Sequence, residues 1–133
     1  MNKLKNALVL CVMVLAAASW ASLANANTLS ATSRVEIESL LSKLKASGCM
    51  FDRNGTWYTS EEAQAHLARK LDYLVDKEGV ATAEQFIERA ASKSSMSGQR
   101  YQVKCGGKPP VQSSKWLYDA LRELRATLAS PTK

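Results

Sequence analysis

From Ser33 to Lys45 the apolar residues Ile37, Leu40, Leu41 and Leu44 recur at i, i+3, i+4 and i+7, with Glu36, Glu38 and Lys43 elsewhere on the wheel. That spacing predicts an amphipathic α-helix. It should end near Ser47-Gly48, because glycine readily takes the left-handed position that closes a helix. The period then changes. Cys49 to Tyr58 places aromatic-containing stretches on both sides of Asn54-Gly55, which predicts a β-hairpin with Cys49, Phe51 and Arg53 on one face.

Helical spacing returns after Thr59 and Ser60. Either residue can cap a second helix, whose first turn carries Glu61 and Glu62 at the positive end of the helix dipole. It is expected to run to about Lys77 and to bury Ala63, Leu67, Leu71 and Leu74, with His66, Lys70 and Tyr73 along a neighbouring flank. Glu78-Gly79 breaks the pattern. Thr82-Ala83-Glu84-Gln85 fits a capping box, followed by a third helix over Ala83 to Ser92 that buries Ala83, Phe86, Ile87, Ala90 and Ala91. A hydroxyl-rich loop spans Ser92 to Gly98. Tyr101 to Cys105 then alternates, predicting a short strand with Tyr101, Val103 and Cys105 inward. Gly106-Gly107-Lys108-Pro109-Pro110 ends that strand. A last helix from Ser113 or Ser114 carries Leu117, Ala120, Leu121, Leu124 and Leu128 on one face and stops before Pro131. The expected fold is mainly α (α+β), with about four amphipathic helices and a small antiparallel β element.

The start of the chain follows a different rule. Lys3 and Lys5, an apolar run from Ala7 to Ala18, and Ala24-Asn25-Ala26 together have the order of a secretory signal peptide over residues 1–26. The run falls short of the roughly 20 apolar residues a transmembrane helix needs, so no stable membrane insertion is expected after cleavage. Residues 27–133 then form one small domain, with an ordered core at about 33–129. Cys11 departs with the leader, leaving Cys49 and Cys105 as a pair in an oxidising compartment, where a disulfide is the expected outcome. Closing so long a loop stabilises a fold by about 4 kcal/mol in the chain-entropy view.

Removing Lys3 and Lys5 also lowers the formal net charge of +6. The remaining Lys and Arg alternate with Glu and Asp along helical faces, a pattern of solvated surface and not of nucleic-acid binding. Two thiols without a nearby His or acidic set fall short of a zinc site. Neither sits in a Cys-x-x-Cys motif, and no cofactor motif is present.

His66 is the only histidine. On its own it reads as a half-buried helical residue. With Lys70 on the same flank, Arg53 and Asn54 at the hairpin, and Ser92, Ser95 and Ser97 in the loop, it composes a candidate anion site acting through charge-assisted hydrogen bonds. A serine nucleophile is a weaker alternative, since no Gly-x-Ser-x-Gly elbow or Ser-x-x-Lys pair surrounds the loop. Trp57 and Trp116 are candidates for core packing or for an exposed partner surface.

Four blocks carry a resemblance: Phe51-x-Arg53-Asn54-Gly55; Glu62-Ala63-x-x-His66-Leu67-x-x-Lys70-Leu71; Thr82-Ala83-Glu84-Gln85-Phe86-Ile87; and Ala91-Ser92-x-Ser94-Ser95-x-Ser97-Gly98-x-x-Tyr101. In this order they resemble the YfeK-like family of small exported bacterial proteins, a family of unknown function. The resemblance implies a periplasmic single-domain protein and brings no catalytic assignment. Its recurring polar positions correspond to Arg53, Asn54, His66, Lys70, Ser92, Ser95 and Ser97, whereas the cysteine pair is not part of the shared pattern. The expectation is a non-enzymatic periplasmic binding or interaction module with a polar, anion-binding site and an unidentified ligand or protein partner. The alternative is an envelope-acting hydrolase or transferase using Ser and His66.

Overall fold

A computed structural model describes residues 28–130; the expected signal segment, with Cys11, lies outside the described residues. Four α-helices and four short strands follow the chain as α1 (Ala31–Ala46), β1 (Met50–Arg53), β2 (Thr56–Tyr58), α2 (Ser60–Tyr73), α3 (Ala83–Phe86), β3 (Gln102–Lys104), β4 (Val111–Gln112) and α4 (Ser113–Ala129). The strands form one antiparallel sheet in the order β2-β1-β3-β4. The α+β class is as expected; β4 is an addition, too short to leave a periodic signal.

Asn54 and Gly55 both have positive φ, at 54° and 82°, as a two-residue turn matching the twist of a hairpin requires. The Asp52 carboxylate accepts from the Gly55 amide at 2.8 Å. The resulting register sets Phe51 opposite Tyr58 on one side and opposite Val103 on the other. Alternation therefore places Cys49, Phe51, Arg53, Tyr58, Tyr101 and Val103 on the inner face. Cys49 and Cys105 lie just beyond the paired ends of β1 and β3, with Cα atoms 4.4 Å apart, and are joined by a disulfide spanning 56 positions.

The helical stripes pack on that face. Ile37, Leu40 and Leu44 of α1, Leu67 and Leu71 of α2, Phe86 of α3 and Leu117 of α4 are buried with Phe51 and Val103 in one core. Thr59 caps α2 through a capping box with Glu62. At α3 the box is displaced: Thr82 accepts from the Gln85 amide, but Gln85 reaches back to the Ala81 amide and not to that of Thr82. The end of the α4 stripe also departs from expectation, since Leu128 is exposed among the described residues.

The second and third helices do not end as regular α-helices. Leu74–Glu78 and Ile87–Ala91 are π-helical turns. The first closes with the Gly79 amide donating to the Leu74 carbonyl at 2.7 Å, and the second with the Ser92 hydroxyl donating to the Ile87 carbonyl at 2.8 Å. A π turn holds one extra residue, and the doubled apolar positions Phe86-Ile87 and Ala90-Ala91 fit either geometry.

Among the described residues no helix is long and apolar enough to cross a membrane.

Candidate functional site

The hairpin and α2 meet at Arg53. Its guanidinium donates to His66 Nδ1 at 2.7 Å and to the Tyr58 hydroxyl at 3.2 Å, with Cζ 4.8 Å from the centre of the Tyr58 ring. Arginine only donates, so the facing imidazole nitrogen accepts and the ring is neutral. Burial holds the His66 pKa down to about 4, assisted by the charges of Arg53, Lys70 and Arg69. One turn on, Lys70 Nζ lies 5.3 Å from the centre of the Tyr101 ring, near its hydroxyl. Burial, and then Arg53, lowers the Lys70 pKa, while burial raises that of Tyr101. His66 and Tyr101 are in edge contact, 6.3 Å between ring centres.

These side chains border two hollows. The larger, of about 290 Å³, lies between the hairpin and α2, with Phe51, Ala63, Leu67 and Tyr101 among its apolar walls and Arg53, His66 and Arg69 at its polar ones. The smaller, of about 240 Å³, lies on the far side of His66 and Arg69 and includes Lys70, Glu78, Arg89 and Ser95. Both π turns reach it: Glu78 and Arg89 pair at 2.9 Å across its rim.

Arg53, Arg69 and Lys70 make no ion pair among the described residues. Asp52 and Glu62 also line the larger cleft, but each carboxylate already accepts from a backbone amide, Gly55 and Thr59 respectively. In formal charge Arg53 and Arg69 are matched by Asp52 and Glu62 around the larger cleft, but among the described residues no carboxylate lies within ion-pair distance of either cation.

The predicted residues separate into three groups. Arg53, His66 and Lys70 converge, and Ser95 joins the last two at the smaller hollow. Asn54 and Ser97 bond to each other at 2.6 Å, fastening the serine loop to the hairpin tip. Ser92 is buried, its hydroxyl occupied at the Ile87 carbonyl; it serves the helix end and stands apart from the cleft. Ser94, which the sequence reading did not place in the anion site, organises the loop by accepting from the amides of Met96 and Ser97 and from Asn54. Arg69, Tyr58 and Tyr101 were also missed as site residues. Strand alternation was the available signal for Tyr58, which shares the Arg53 face.

None of the serine hydroxyl hydrogen bonds among the described residues goes to His66. Among these residues there is likewise no cluster of three His, Cys, Asp or Glu side chains placed to hold a metal. Trp57 stands on the outer sheet face and is partly exposed, while Trp116 packs edge-on against Phe51 on the inner side, 6.0 Å between ring centres. The two indoles therefore do not share one surface.

Comparison with known proteins agrees with the motif blocks. The model of a family of unknown function, DUF5329, matches residues 31–125. Over 51 residues the chain is 45% identical to the uncharacterized protein YfeK of Salmonella typhimurium, a match covering 38% of this chain and 41% of that protein. No solved structure matches.

Proposed function

The chain belongs to the DUF5329 family, and from the geometry of its cleft we propose that it is an exported, periplasmic binding protein that holds an anion beside Arg53 and His66. The observation carrying this reading is the set of cations, Arg53, Arg69 and Lys70, gathered around a neutral imidazole without a carboxylate partner. A half-buried guanidinium whose neighbours are an imidazole and a phenol retains its attraction for an anion, and a charge-assisted hydrogen bond to one is about twice as strong as a neutral one. Export is supported by the Cys49–Cys105 disulfide, a bond that persists in oxidising compartments.

Titration with sodium acetate and with inorganic phosphate, followed through the His66 imidazole NMR signals, tests the site. A saturable shift that is weakened at least tenfold in Arg53→Gln is expected. Unchanged His66 signals with both anions would remove the proposal. Cell fractionation and N-terminal sequencing of the recovered protein test export; recovery in the cytoplasm with Met1 still present would overturn it.

A further inference from the structure

Resting on that anion-binding reading, the larger cleft also constrains what the anion is attached to. Its apolar part is built from the Phe51 and Tyr101 rings and from Ala63, Ala65 and Leu67, with Arg53 and Arg69 at its polar walls. A free inorganic ion would leave those walls facing water. At about 290 Å³ the space exceeds the roughly 150 Å³ that suffices for benzene and lies at the lower limit of drug-sized pockets. It therefore fits a small molecule with a compact body.

We infer that the ligand class is a small amphiphilic carboxylate, its single-charged head on Arg53 and Arg69 and its apolar body against Phe51, Ala63, Leu67 and Tyr101. Three observations carry the assignment. The planar guanidinium of Arg53 spends one donor on His66 and one on Tyr58, which leaves three of its five N–H groups for a carboxylate. The two acidic residues of the cleft, Asp52 and Glu62, keep their charges but bond to backbone amides and form no ion pair with Arg53 or Arg69, so the arginine donors stay open to a ligand. Finally, the apolar walls penalise a dianion more than a monoanion, because the cost of taking charge out of water rises with its magnitude.

The experiment compares acetate, octanoate, octanol and inorganic phosphate by calorimetry on the disulfide-intact chain. Each methylene buried strengthens binding about fourfold, so octanoate should bind at least about 100-fold more tightly than acetate if four or more methylenes are buried. Octanol, which lacks the charge, should bind at least about tenfold more weakly than octanoate. Ala65→Trp, which fills the apolar part from the surface of α2, should weaken octanoate at least tenfold more than acetate, and Ala65→Leu should do so to a smaller degree. Equal affinity for acetate and octanoate would overturn the apolar assignment while leaving anion binding in place. Equal affinity for octanol and octanoate would overturn the carboxylate assignment, as would phosphate binding as tightly as octanoate. Absence of binding by every anion would remove the underlying reading as well.

Discussion

The guanidinium of Arg53 donates to the imidazole of His66 across 2.7 Å, where a carboxylate is the more usual partner for a half-buried arginine. The contact holds only while His66 is neutral. Each proton taken up by the ring would remove an acceptor and add a positive charge beside Arg53, Arg69 and Lys70.

Stability should therefore depend on pH through His66. Its pKa is about 4 in the folded chain and near 6.5 in an unfolded one. Between those values the unfolded state binds more protons, so this group favours unfolding increasingly as pH falls from about 6.5 to 4 and has no effect above. After allowance for partial solvent screening, the loss should be on the order of 1 kcal/mol. Urea midpoints measured from pH 7 down to pH 4 should fall more for the native chain than for His66→Gln; parallel curves would contradict this.

Arg53→Gln should raise the His66 pKa, because one of the charges opposing protonation is gone. The value should remain below the ordinary histidine range, since burial is the larger cause. An NMR pH titration of the imidazole reads both parts, and a downward or absent change would count against the contact.

The Cys49–Cys105 bond ties the start of β1 to the end of β3 across 56 positions. Replacing both cysteines with alanine should lower stability by about 2–5 kcal/mol, seen as a lower urea midpoint. Mass analysis of the protein purified without reductant should show no free thiol at either position; two free thiols would refute the bridge.

A second tie joins α4 to α1 and α3. Arg125 grips the Glu36 carboxylate with two bonds, at 2.8 and 3.0 Å, and reaches Glu84 at 2.5 Å. Glu36 is only 8% exposed. Arg125→Met should leave that carboxylate unpaired and cost about 1–3 kcal/mol. Adding Glu36→Gln to the same chain should restore part of the loss, because the buried charge is removed. A double-mutant cycle with no coupling would show that the clasp contributes nothing.

At the hairpin tip, Gly55→Ala meets no steric neighbour, yet φ at this position is +82°. The expected cost of about 1 kcal/mol is conformational. Thermal denaturation should detect it, and an unchanged midpoint would mean that the turn tolerates a different geometry.

Much of this architecture was present in local pattern. The Ile37-Leu40-Leu41-Leu44 stripe, the Asn54-Gly55 turn and the alternation of Tyr101 and Val103 each declare an element, because burying one face requires the same period in sequence as in space. The π turns were not legible, since pairs such as Phe86-Ile87 satisfy both helical pitches. Nor was β4 of Val111–Gln112, which owes its strand form to pairing with β3.

The candidate site divides in the same way. His66 and Lys70 share a flank because they stand four apart on one helix, and Arg53 faces inward because it stands two residues beyond Phe51; sequence alone determines both relationships. That these two faces meet was decided by tertiary packing, as was the placing of Ser92 at a helix end and Ser97 against Asn54. The physical reason is range. Periodicity and turn chemistry act over a few residues, whereas the neutral His66 among three cations arises from the desolvation and long-range approach produced when the sheet and α2 close on one core.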